Sequence, residues 1–192
     1  MKIVGIFAVV NHSLLSVQFE GEESDEFDRV FTKWRDIAYL KQFFEDNISD
    51  LQSGFLGDIN VREAVFRTKN EAKQMHTRIK RIAKEGLSDS GNTLQDLVFT
   101  QLHKEDFSIQ HLQSKAYGQT YHSWLRLYAV RIAANLYVVS GGAIKLSKTM
   151  QERPHLNVEL NKLKATVEYL REEGLFDGED YDFIEISSHD KR

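Results

Sequence analysis

The chain has 192 residues, 41% hydrophobic and 28% charged, with 25 Lys and Arg against 29 Asp and Glu for a formal net charge of −4. That size suits one domain with a substantial core, and the lack of Cys removes disulfides, thiolate zinc sites and cysteine nucleophiles together. No window approaches the roughly 18 apolar residues of a membrane span, and the short run IVGIFAVV after Lys2 has no cleavage site and passes straight into another strand-like run, so a cytoplasmic protein is expected.

The charge is segregated along the chain. Residues 20–50 carry ten acids and four bases, a balance of −6, whereas residues 61–84 carry two acids and eight bases, a balance of +6. Residues 103–153 carry three acids and seven bases, and residues 154–192 ten acids and five bases. Two basic stretches bracketed by acidic ones predict a local basic surface on an acidic protein.

Lys2 to Val10 reads as a strand, Asn11-His12-Ser13 as a turn, and Leu14 to Glu20 as a second strand whose Leu15, Val17 and Phe19 share one buried face. Ser24 is the expected cap of a helix in which Phe27, Val30, Phe31, Trp34, Leu40, Phe43 and Phe44 recur through Asp46, with a bend near Arg35 and Asp36. Gly54, Gly57 and Asp58 mark a loop. Asn60 with Glu63 is a capping-box signature, and Val61, Val65, Thr68, Ala72, Met75, Ile79 and Ile82 then step by fours and threes towards Gly86. The outer face of this helix carries Arg62, Lys69, Lys73, Lys80, Arg81 and Lys84, either as a solvated face or as one that meets phosphate or an acidic peptide.

Leu87 to Asn92 reads as a polar loop, Thr93 to Leu102 as a short apolar element of either type, and Phe107 to Tyr121 as a polar lead into a hairpin. The hairpin joins Trp124–Ile132 to Leu136–Ser140 across Ala133-Ala134-Asn135. Pro154 primes a helix with the stripe Leu156, Leu160, Leu163, Val167 and Leu170 that stops at Gly174, and Tyr181 to Ile186 is a candidate last strand.

Alternation along the first hairpin strand puts Leu125, Leu127 and Ala129 on one face, the expected core, and Trp124, Arg126, Tyr128 and Val130 on the other. A guanidinium beside two rings suits an anion or a nucleobase. Gly141 and Gly142 allow close backbone approach or a bulge, and the chain leaves them with Lys145, Lys148, Thr149, Arg153 and His155. Those bases form a phosphate-contact surface or blunt a sheet edge. The chain has no glycine-rich phosphate loop, G-x-S-x-G or H-E-x-x-H, and its His residues show no ligand spacing, so neither a metal site nor a cofactor is expected.

Arg126 in LRLYAVRI, the strand NLYVVSGGAIKLSKTMQ and the helix after Pro154-His155 resemble the second half of the RelE/ParE-like toxin superfamily, closest to its HigB-type members. The resemblance covers residues 14–173 as a pattern of elements and 122–155 as a motif. It implies an α+β fold in a single domain over residues 1–192, in which a two-helix hairpin packs on a curved antiparallel sheet. Outside the core of residues 14–173 lie an extra N-terminal strand and an acidic extension, residues 174–192, after the C-terminal helix.

The resemblance also implies a function: the toxin component of a toxin–antitoxin system, a metal-independent mRNA endoribonuclease that blocks translation at the ribosome. A small acidic antitoxin would neutralise it, and no membrane is involved. Carried over by position, Arg126 would stabilise transition-state charge and Lys145 or Lys148 would act as base or phosphate clamp; the motif fixes no position for the acid, for which His122 and His155 are the candidates. Trp124, Tyr128 and Tyr137 would stack a base, and Arg131 and Arg153 would contact the RNA backbone. The alternative is a non-catalytic RelE-like interaction module that holds a protein through the basic helix from Val61 to Lys84.

Overall fold

The computed structural model describes residues 1–53, 59–88, 91–101, 113–118, 123–146 and 154–174. The expected loop at Gly54, Gly57 and Asp58, the strand over Tyr181–Ile186 and all but the first residue of the acidic extension lie outside the described residues.

The strand candidates at the start form β1 (Ile3–Val10) and β2 (Leu14–Phe19), an antiparallel hairpin whose turn places His12 at φ 62°. The aromatic stripe that follows is two helices, α1 (Glu26–Lys33) and α2 (Ile37–Asp46), because the expected bend is a full break. Asp36 accepts from the amides of Ala38 and Tyr39 and so starts a new helix, and Asp25 rather than Ser24 caps α1 through the amides of Phe27 and Asp28. After the short α3 (Ile48–Leu51) comes α4 (Val61–Glu85), with the expected capping box between Asn60 and Glu63. Thr68, Ala72, Met75, Ile79 and Ile82 of the expected stripe are buried, but in the first turn Ala64 takes the inward position and Val61 and Val65 are only half-buried, and the carboxylate of Glu71 is enclosed as well.

A single turn, α5 (Leu94–Leu97), leads to β3 (Thr100–Gln101), β4 (Gln113–Tyr117), β5 (Leu125–Ala133), β6 (Leu136–Ile144) and α6 (Pro154–Glu172). The strands form one sheet in the order β1-β2-β6-β5-β4-β3. The chain is therefore α+β, with β1 at one edge of a sheet that is mixed rather than antiparallel, since β2 runs parallel to β6. The segment read as a polar lead contains β4, which pairs with β5 along its whole length.

Both faces of the sheet are covered. Leu125, Leu127, Ala129 and Tyr137 pack with Phe31, Trp34, Phe44, Met75 and Ile79 of α1, α2 and α4. On the other face Val17, Phe19, Tyr128 and Val130 pack beneath Leu156, Leu163, Val167 and Leu170 of α6. The face of β5 expected to be open is thus half covered, because the apolar stripe of α6 removes its own surface from water only by lying on it. No helix among the described residues is long and apolar enough to cross a membrane.

The β2–β6 ladder is short. It pairs Leu14, Leu15 and Ser16 with Tyr137, Val138 and Val139, and β6 then bulges, with Tyr128 opposite Gly141 but Ala129 opposite Val139. Beside this point lies a buried ion network. Glu26 of α1 receives Arg29 Nε at 2.7 Å and a terminal Arg29 nitrogen at 2.6 Å, and Lys162 Nζ of α6 lies 3.0 Å from its Oε2. Lys162 also reaches Glu159 at 3.3 Å, and Glu159 in turn accepts from the Gly142 amide at 2.9 Å. The glycine pair is needed here. A Cβ on Gly141 would stand 1.9 Å from Glu159 Oε2, and one on Gly142 would stand 2.8 Å from Val30 on the opposite side of the sheet. Burial, reinforced by Glu26, raises the Glu159 pKa despite Lys162, whereas Glu26 and Glu159 hold the Arg29 pKa above its ordinary value against the effect of burial.

Removing the central cation leaves two buried carboxylates with Arg29 alone. Lys162→Met is expected to lower the unfolding free energy by about 3–5 kcal/mol, read as a shift in urea midpoint, and a loss below about 1 kcal/mol would show that the network is not a joint of the fold.

Candidate anion-binding site

Register decides which side chains share the partly open end of the sheet. Lys115 pairs with Tyr128 and Tyr117 with Arg126, so Lys115, Tyr117 and Arg126 lie on the face that α6 covers further along. Arg126 pairs with Ala143, and the Lys145 amide donates to the Trp124 carbonyl one step beyond the Leu125–Ile144 pair. Alternation thus brings Lys145 to the same face. All four side chains are half-buried.

The Arg126 guanidinium is held on three sides. Its Nη1 donates to the carbonyls of Ser123 at 2.7 Å and Leu125 at 2.8 Å, and its carbon sits 3.9 Å from the centroid of the Tyr117 ring. Lys115 Nζ is 5.3 Å from the same ring. Burial, then the positive charges of Arg126 and Lys115, bring the Lys145 pKa down to about 8. Three cations and a ring on one half-buried patch fit a phosphodiester and its base, and an amine that titrates near neutrality can take or give a proton.

The other expected site residues are dispersed. Trp124 is enclosed among the helices, where its Nε1 donates to Thr68 Oγ1 at 2.8 Å and its ring lies edge-on to Phe44 with the Arg67 guanidinium 4.3 Å from its centroid. Tyr128 lies under α6, and Tyr137 is stacked on Phe99 with centroids 4.2 Å apart. These three rings are fully buried and offer no face to a nucleobase, which corrects the stacking role expected for them. The reason is that both faces of the hairpin are interior, a circumstance that alternation alone does not reveal.

Arg131 donates to Gln95 Oε1 at 2.7 Å and lies five residues from Arg126, about 16 Å along the strand, so it belongs to the other end of the sheet. His155 contacts the Ile144 carbonyl through Nε2 at 3.1 Å and meets Phe43 edge-on, at the helical side of β6. His122, Lys148 and Arg153 lie outside the described residues. In place of the buried rings the structure supplies Tyr117 and Lys115, which the sequence reading passed over. Their signal was the alternation in QSKAY, where Ser114 and Ala116 fall on the buried face between Lys115 and Tyr117.

Comparison of the chain with protein-family models, with curated proteins and with solved structures finds no match.

Lys115→Gln removes one of the charges that depress Lys145, so the Lys145 pKa is expected to rise from about 8 towards the ordinary lysine value, followed through its ¹³Cε shift in a pH titration. A group whose folded pKa lies below its unfolded one costs stability while charged, and that cost is relieved as pH rises from about 8 towards 10.5. Lys145→Gln is therefore expected to leave the thermal midpoint at pH 7 unchanged or raised, and a clear drop would contradict the electrostatic account.

Proposed function

We propose that this protein is a metal-independent endoribonuclease of the RelE-like kind, the toxin component of a toxin–antitoxin pair, acting on mRNA in the cytoplasm. The observation that carries this reading is the convergence of Lys115, Tyr117, Arg126 and Lys145 on one half-buried patch, with Lys145 near neutrality in its titration. The order of elements, a strand, helices and then an antiparallel run that includes the β5–β6 hairpin, supports the RelE-like assignment at the level of the fold alone.

In this reading Arg126 and Lys115 hold the non-bridging phosphate oxygens and gain strength as charge builds on them. Neutral Lys145 accepts the proton of a ribose 2′-hydroxyl. The 2′ oxygen then bonds to phosphorus, the bond to the 5′ oxygen breaks, and that oxygen takes a proton from water or from protonated Lys145. The products are a 2′,3′-cyclic phosphate and a free 5′-hydroxyl. Tyr117 is the ring available to a base, in place of Trp124, Tyr128 and Tyr137. A small antitoxin that lays carboxylates over this patch would silence it. The second reading, a non-catalytic RelE-like interaction module, draws support from the basic outer face of α4, which carries Arg62, Lys69 and Lys73 into solvent.

Induced expression tests the choice, with growth and the 5′ ends of cellular mRNA followed together. Wild type is expected to arrest growth and create new ends, and Arg126→Ala and Lys145→Ala each to lose about 10²-fold or more of the cleavage while keeping the wild-type circular dichroism spectrum. Arrest without new ends, or cleavage equal in all three, would sink the nuclease reading.

A further inference from the structure

Away from the cation patch, on the helical side of the sheet, α2 and the first half of α4 leave a groove between them. Ile37, Val61, Val65 and Phe66 supply its apolar lining, with Arg62 and Lys69 at the rim. Phe66 is 68% exposed and Ile37 56% exposed, although both sit on well-formed helices whose opposite faces already fill the core. A large apolar pair held in water beside a groove marks a contact surface rather than a packing requirement.

The charges identify what the groove would take. Its two acids are already engaged, Glu63 in the capping box of α4 and Glu45 with Lys41 at 3.7 Å. Arg62 and Lys69, by contrast, have no carboxylate partner among the described residues. The groove thus combines an apolar floor with two cations that meet no carboxylate among the described residues, on the helix whose segment, residues 61–84, carries eight bases and two acids.

We propose that this groove docks an amphipathic helix of another protein, one that presents an apolar stripe flanked by Asp and Glu. Apolar anchors at i, i+4 and i+7 would meet Phe66, Val65 and Ile37, and the flanking acids would meet Arg62 and Lys69. A second copy of this chain is disfavoured, because a self-complementary contact would bring together two copies of a groove lined by more bases (Arg62, Lys69, Lys41) than acids (Glu63, Glu45). An anionic bilayer prefers a convex apolar face to a concave one, and nucleic acid gains little from an aliphatic floor. The proposal concerns a surface separate from the cation patch and does not depend on the ribonuclease reading.

The full-length protein is titrated with a synthetic helical peptide carrying Leu at i, i+4, i+7 and i+11 flanked by Glu, beside the same peptide with Lys for Glu. Saturable binding of the acidic peptide only is expected. It should weaken at least about tenfold in Phe66→Ser and in the double variant Arg62→Glu/Lys69→Glu, fall with added salt, and persist in Arg126→Ala. Both groove substitutions lie on exposed positions, and an unchanged thermal midpoint confirms that the fold is intact. The proposal is overturned by no saturable binding, by equal binding of Phe66→Ser, or by equal capture of the Lys peptide. It is equally overturned by Phe66-dependent binding to phosphatidylglycerol vesicles in preference to the peptide, or by a Phe66-dependent dimer in light scattering.

Discussion

The contact between the Glu159 carboxylate and the backbone of β6 at Gly142 sets where everything on the second face of the sheet can lie. β2 and β6 pair for three residues only, and beyond Ser16 and Val139 the sheet needs something other than a ladder to keep its parts together. Glu26, Arg29, Glu159 and Lys162 supply it, joining α1 on one side to α6 on the other. Such a network adds little net stability over an apolar filling of the same volume, because removing four charges from water costs about what their attraction returns. Its value is directional. A greasy wedge would tolerate a sliding helix, whereas Glu159 bonded to the Gly142 amide and Lys162 bonded to Glu26 of α1 tie α6 at two points to the sheet and to the opposite layer.

Fixing α6 in this way divides the sheet. Tyr128 and Val130 are sealed beneath Leu156, Leu163 and Val167, while Lys115, Tyr117, Arg126 and Lys145 remain at the edge of the covered region. Half-burial is what gives that edge its character. In full solvent three like charges would be screened and ordinary, and in the core they would not persist. At the margin of α6 the partial loss of water acts with Arg126 and Lys115 to lower the Lys145 pKa while leaving its nitrogen within reach of a ligand. The Tyr117 ring attracts the Arg126 guanidinium through its electron-rich face and so helps to hold it in place.

Local signals of the sequence translated well where a single residue does a single job. The Asn60–Glu63 pair and the steps of three and four after it define α4 almost to the residue, because capping and amphipathic burial are short-range events. The glycine pair pointed to a bulge, and a bulge is there, but its reason is the Glu159 carboxylate from a helix 17 residues on rather than a ligand. Trp124 shows the limit most plainly. Alternation assigned it to the face of Arg126, yet it precedes the first ladder residue of β5, and the Thr68 hydroxyl draws its indole to the other side of the sheet. Strand β4 was missed because Gln, Ser and Lys are weak strand formers, and its pairing with β5 is a long-range fact that no local propensity encodes.

Trp124 also joins the two surfaces. In α4, Phe66 and Lys69 face the groove, while Arg67 and Thr68 between them hold the indole ring. The carbonyl of Trp124 receives the Lys145 amide, and the carbonyl of its neighbour Ser123 receives the Arg126 guanidinium. Within three residues of one helix, therefore, the chain passes from the apolar groove on one side of the sheet to the support of the cations on the other. A helix docked in the groove would leave the cation patch physically open, since the sheet stands between them, so occupancy of the groove and occlusion of the patch are separate events unless the partner continues around the sheet edge. What the two share is a fully buried indole with its nitrogen bonded to α4, next to the carbonyls that receive Arg126 and Lys145.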